Sequence, residues 1–159
     1  MERRTTSSLE NLPVTAIDER AILRVLNRFA NCFDTKQWHE MTDCLAADIY
    51  TDYSDLRGTP PETMSRTRFV ELRREALGPL ETHHLFANHE VEWCGDAAKA
   101  KVSAVIFRRA ADGQTLHTHC LYLFELRREP QGWKICAITQ KVLWSEGNPG
   151  IHAGIAQRR

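Results

Sequence analysis

The second half of the chain restricts the fold most. Four runs of alternating side chains follow one another: His83 to Trp93, Lys99 to Arg109, Thr115 to Arg128 and Trp133 to Trp144. Turn signals separate them, at Cys94-Gly95-Asp96, Ala111-Asp112-Gly113 and Pro130-Gln131-Gly132. Alternation sends every second side chain to the same face of a strand. Such runs joined by short turns predict an antiparallel meander. They exceed the usual strand length of ~5–6 residues. Strands this long favour a strongly curved sheet, one end of which can leave a pocket against whatever packs inside it.

The first half has a different period. From Asp18, the residues Ile22, Val25, Leu26, Phe29 and Phe33 recur at helical spacing, with Arg20, Arg24, Asn27 and Arg28 between them. This predicts an amphipathic helix of about four turns, capped by Thr15 or Asp18. Trp38, Met41 and Leu45 share a face of a second, shorter helix. Ile49-Tyr50-Thr51-Asp52-Tyr53 reads as a short strand, and Gly58-Thr59-Pro60-Pro61 breaks the chain. A third helix covers Arg66 to Leu77, with Phe69, Leu72 and Ala76 inward, and ends at Gly78-Pro79. Helices followed by a run of strands is an α+β order. Residues 1–14 are polar and aperiodic and read as a flexible tail. Residues 15–146 make one domain, and residues 147–159 read as a C-terminal tail.

Charge excludes some partners. Lys plus Arg is 21 and Asp plus Glu is 21, so the whole protein has no attraction to nucleic acid or to an anionic membrane. The pairs Arg73-Arg74 and Arg127-Arg128 read as solvated faces. No apolar run approaches the ~20 residues that span a bilayer. Met1 to Leu12 lacks the apolar segment of a secretory signal. The five cysteines, Cys32, Cys44, Cys94, Cys120 and Cys136, form no CxxC pair and read as reduced thiols of a cytoplasmic protein. His117 and His119 share a strand face, but no third ligand stands at a diagnostic spacing, so no metal is expected. There is no Gly-rich phosphate loop, and no cofactor is expected.

With this order of elements, several segments carry a resemblance. They are Phe33-Asp34-Thr35-Lys36-Gln37-Trp38, Thr82-His83-His84-Leu85-Phe86-Ala87-Asn88, Trp93-Cys94-Gly95-Asp96-Ala97-Ala98, Gly132-Trp133-Lys134-Ile135 and Val142-Leu143-Trp144. Across about residues 16 to 146 the chain resembles the SnoaL-like, NTF2-like superfamily, in particular its scytalone dehydratase, hexachlorocyclohexane dehydrochlorinase and bile-acid dehydratase branch. The resemblance implies a cone, in which a curved, mainly antiparallel sheet wraps around three N-terminal helices. It implies a catalytic dyad of Asp34 and His84, with Tyr53 as a pocket tyrosine. His84 is preferred to His83 because the family's histidine directly precedes apolar residues. Phe33 replaces a second tyrosine, and Phe107 stands where a second pocket histidine would be. Cys120 and Tyr122 stand for a serine and an asparagine, and Phe29 lies near the place of the dehydrochlorinase's lysine. The proton-transfer pair is kept while the substrate-recognising groups change, so neither scytalone nor a chlorinated substrate is expected.

Each residue also has a plainer reading. Asp34 could cap the second helix, with Gln37 completing a capping box. His84 could be an ordinary strand residue. Cys120 has no adjacent cation to activate it and reads as a packed thiol. Trp133, Ile135 and Trp144 read as core, with Trp144 also at a pocket rim. The expected pocket is mostly apolar, lined by Phe29, Phe33, Trp38, Phe86, Phe107, Cys120 and Tyr122 around Asp34, Tyr53 and His84. Its ligand would be a small hydrophobic cyclic hydroxy-carbonyl compound. The leading expectation is a cofactor-independent lyase or isomerase working by His/Asp acid–base chemistry. The alternatives are a ligand-binding or assembly subunit resembling the small subunit of ring-hydroxylating dioxygenases, and a polyketide cyclase. The resemblance also implies a homo-oligomer, a trimer ahead of a dimer, and the outer sheet face bearing Leu121 and Leu123 is its expected surface.

Overall fold

The apolar stripe of the first helix decides where everything else sits. In the computed structural model, which describes residues 14–155, α1 (Val14–Asp34) buries Ile22, Leu26, Phe29 and Phe33 along one side. This face lies against the long strand β3 (Glu81–Cys94). Phe29 is the centre of an aromatic cluster, edge-on to Phe33 at 5.1 Å and to Phe124 at 6.0 Å, with Phe69 stacked at 6.2 Å. Burying side chains of this size is worth about 1.5–3 kcal/mol each.

After α1 come α2 (Trp38–Asp43), β1 (Leu45–Asp52), the one-turn α3 (Ser54–Arg57), β2 (Glu62–Ser65) and α4 (Arg66–Leu77). The three expected helices are present, and α3 is an addition among the described residues. Leu45 opens β1 rather than closing the second helix, because its backbone pairs with Ile135. Ser65 caps α4, accepting a hydrogen bond from the Arg68 backbone N–H at 3.2 Å. The inward stripe of α4 is Phe69, Val70, Arg73, Ala76 and Leu77, and Arg73 is buried rather than solvated. Arg128 is no free surface charge either. Its two Nη atoms donate to both oxygens of Asp18 at 2.8 Å, joining α1 to the sheet. Asp18 therefore lies within α1 as an ion-pair partner, not as its cap.

The meander continues with β4 (Ala97–Arg109), β5 (Thr115–Glu129) and β6 (Gly132–Gly147). The sheet order is β2-β1-β6-β5-β4-β3, with only β1 and β6 parallel. It is the expected α+β cone, a curved and unclosed sheet around the helices. Bulges bend it. The β3–β4 register slips between Ala87 and Glu90, where Asn88 has φ 51°. The β5–β6 register slips twice, leaving Cys136 and Leu143 unpaired.

Each bulge reverses the inward phase. Trp133 and Ile135 face in, then Ile138 and Gln140. Beyond Leu143, Trp144 pairs with the outward His119 and stacks on it at 4.2 Å, 51% exposed. Trp144 is therefore not core. Of the segment 147–159, the described residues reach 155: Gly147 pairs with Leu116, a 3-10 turn (Pro149–Ile151) follows, and His152 is buried. The sequence tail of residues 1–14 lies almost wholly outside the described residues. No described helix is long and apolar enough to cross a membrane.

Candidate acid–base site

Asp34 is the last residue of α1, and His84 lies on β3 with its side chain turned toward the helices. The packing of α1 against β3 brings the two together. His84 Nδ1 is 2.7 Å from Asp34 Oδ1, and the His84 backbone N–H donates to Oδ2 at 2.8 Å. The Thr82 hydroxyl donates to Oδ1 at 3.1 Å. Asp34 does not cap α2, whose N-cap is Gln37 with no side-chain cap bond. Lys36 holds the corner with φ 58°, and its Nζ donates to the Leu77 carbonyl at the end of α4 at 2.8 Å. The Phe33 ring lies flat on the imidazole, 4.6 Å between centroids.

The charges of the pair follow from these contacts. Burial works against the Asp34 carboxylate, but the hydrogen bonds from His84 and Thr82 outweigh it and hold its pKa below the ordinary value. Burial pushes the His84 pKa down, and the contact with Asp34 only partly offsets this. A paired histidine would ordinarily be raised, but here loss of water dominates because its side chain is only 3% exposed. The state near neutral pH is thus a carboxylate beside a neutral imidazole. A carboxylate only accepts, so Nδ1 carries the proton and Nε2 keeps a free lone pair.

His84 lines a small void of ≈20 Å³, room for about one water molecule. Phe33, Leu77 and Ile106 supply apolar wall, and Tyr53, Tyr122 and Gln140 supply neutral polar groups. The Tyr122 hydroxyl accepts a hydrogen bond from Gln140 Nε2 at 2.9 Å. Burial raises the pKa of both tyrosines, so both hydroxyls keep their protons. Arg57, Arg73, Arg108 and His152 complete the wall together with Leu56.

Its wall carries three arginines that the pocket expected from sequence did not include. Phe33, Asp34, Tyr53, His84 and Tyr122 do come together. Phe29 does not reach the void, because it is consumed in the core cluster. Trp38 packs edge-on to Phe33, and Phe86 lies on Tyr122 and Phe124, both outside the void wall. Cys120 is buried beneath Gln140, and burial pushes its thiol up to about 11. Phe107 is on the wrong face: β4 turns Ala98, Ala100, Val102, Ala104, Ile106 and Arg108 inward, and Phe107 packs outside against His117.

Five polar wall residues escaped the sequence reading: Arg57, Arg73, Arg108, Gln140 and His152. Two left a trace. Arg108 occupies the inward phase of β4, and Arg73 follows Phe69 by four residues on the inward stripe of α4. Gln140 left none, since the bulge at Cys136 sets its phase. Among the described residues no cluster of three metal-type ligands forms.

Residues 14–139 match the SnoaL-like domain family. No curated protein matches significantly. Solved structures share the fold at low identity. One is a candidate scytalone dehydratase from Novosphingobium aromaticivorans, 13% identical over 84% of this chain and 89% of that one, TM-score 0.75. Another is the type 3 hexachlorocyclohexane dehydrochlorinase LinA from Novosphingobium barchaimii, 14% identical over 91% and 97%, TM-score 0.72. A third is an NTF2-like protein with a cystatin-like fold from Novosphingobium aromaticivorans, 18% identical over 86% and 92%, TM-score 0.66.

Proposed function

The chain belongs to the SnoaL-like domain family, and from that premise we propose that it is a cofactor-independent lyase or isomerase acting on a small cyclic hydroxy-carbonyl compound. The observation that carries this reading is the buried 2.7 Å contact between Asp34 and a neutral His84 at the wall of a void. His84 Nε2 would take a proton from the carbon next to the carbonyl. The Asp34 carboxylate would stabilise the imidazolium as it forms. Tyr53, whose protonated hydroxyl is on the wall of the void, would donate to the carbonyl oxygen as enolate charge develops. The imidazolium would then protonate a leaving hydroxyl, giving dehydration, or another carbon, giving isomerisation.

General acid–base help of this kind is worth about 10²–10⁴-fold. The test is deuterium exchange at the carbon next to the carbonyl, followed by NMR over a panel of cyclic β-hydroxy ketones. Wild type should exchange, and His84→Ala should lose about 10²–10⁴-fold while keeping its melting cooperativity. Equal exchange by both proteins removes His84 from the chemistry. One observation favours a second reading. A void that holds about one water suits a non-catalytic assembly subunit, and wild type would then exchange none of the panel and copurify with a larger chain.

A further inference from the structure

Three cations surround the void, and among the described residues no anion pairs with them. Arg73 is 5% exposed and Arg108 is 2% exposed, and Arg57 joins them on the same wall. None of the three appears in an ion pair among the described residues, and the Nε atoms of all three are buried without a hydrogen-bond partner. Arg108 uses Nη1 on the Thr118 hydroxyl at 2.9 Å and the Leu116 carbonyl at 3.4 Å. Among the described residues Arg57 and Arg73 meet aromatic faces, each about 5 Å from the Tyr53 ring (5.2 and 5.1 Å), with Arg73 also 5.3 Å from Phe69. Glu62 is the acidic group whose charge reaches Arg57 and Arg73, but it is exposed and touches neither. The one carboxylate beside the void, Asp34, is fully engaged by Thr82 and His84.

Buried charges are ordinarily paired, because an unpaired one loses its hydration with nothing in return. Guanidinium does not escape by shedding its proton near neutral pH. Burial pushes Arg73 and Arg108 down only to about 10. The remaining relief is an anion from outside. The three groups are charged before any reaction begins, so they suit a permanent charge better than a transient enolate.

We propose that this void is an anion subsite: Arg57, Arg73 and Arg108 hold an oxyanion group of the substrate, a carboxylate or a phosphate ester, beside His84. The substrate is thus a small organic anion, not a neutral hydrophobe. This refines the acid–base reading above and rests on it for the word substrate. The void has room for about one water, so a wall group must move to admit the oxyanion, and His152 is the least tethered. Its ring bonds only to the carbonyl of its neighbour Ala153, at 2.8 Å, and grips nothing in the wall. The segment that carries it also lines a groove of ≈690 Å³ through Asn148, Pro149 and Ile155. Leu56 borders both spaces, so withdrawal of His152 opens one into the other.

The test is calorimetric titration of the full chain with benzoate, phenyl phosphate, benzamide and inorganic phosphate. One or both organic anions should bind while benzamide does not, and the tighter of the two identifies the source of the charge. Arg73→Met and Arg108→Met should each weaken that binding roughly tenfold to hundredfold. Without ligand Arg73→Met should melt no lower than wild type, since an unpaired buried charge has gone. Benzamide binding as well as benzoate, or inorganic phosphate alone binding, overturns the subsite. If a variant fails to fold, the wild-type titration still decides. Anion binding without any exchange activity removes the acid–base reading and leaves the subsite standing. Exchange of an anionic hydroxy-ketone unaffected by Arg73→Met removes the subsite and leaves His84.

Discussion

His84 can accept a proton only while neutral, and burial keeps it neutral to a lower pH than an ordinary histidine. Activity that needs its lone pair should therefore fall on an acid limb lying below about 6.5. Asp34 raises that limb, because its carboxylate favours the imidazolium. Asp34→Asn should shift the limb in kcat/KM further acid and lower kcat about 10²–10⁴-fold. An unmoved limb would mean that Asp34 does not act through His84. The same substitution removes the charged acceptor of three hydrogen bonds. It should cost about 1.5–3 kcal/mol of stability in urea denaturation.

At the scale of elements, alternation and bulges sort aromatic residues onto different faces. Phe29 and Phe107 looked alike in sequence, yet one is at the centre of the core and the other is 36% exposed. Phe29→Ala should lose about 3–5 kcal/mol, and Phe107→Ala should stay within about 0.5 kcal/mol. Equal losses in urea denaturation would put β4 in the other register. The end of β6 makes a second demand. Gly147 has φ 105°, and a Cβ there would run into the Thr115 carbonyl. Gly147→Ala should destabilise by about 1–3 kcal/mol. It should also speed hydrogen exchange at Asn148, whose backbone N–H donates to Thr115 at 2.8 Å.

For the molecule as a whole, stability should depend on pH through its buried neutral histidines. Burial lowers the pKa of His84, and lowers that of His152 to about 3, with the three arginines adding to the effect on His152. His89 is lowered in the same direction. Each folded pKa lies below its unfolded value, so protons bind the unfolded chain more tightly. This stability is complete above about pH 6.5 and drains away as pH falls, for His152 down to about 3. Each group contributes at most ~1.4 kcal/mol per pH unit. His152→Leu should flatten the slope of urea midpoints between pH 6 and pH 4. A slope identical to wild type would place His152 in solvent.

Much was legible because local periodicity wrote it. The stripe from Ile22 to Phe33, the four alternating runs and their turns needed no tertiary information to predict α+β order. The residues around Asp34 and His84 were legible through resemblance, not through spacing, since their contact spans fifty positions. The fate of Arg73, Arg108, Gln140, Phe107 and Trp144 was decided only by the tertiary structure. Periodicity states that two faces exist, but which face is inside depends on pairing register, and one bulged residue reverses it. Burial of a charged side chain is likewise invisible in a local pattern. It depends on what α3, α4 and the closing turn at His152 place around one point, and that is a property of the packed cone.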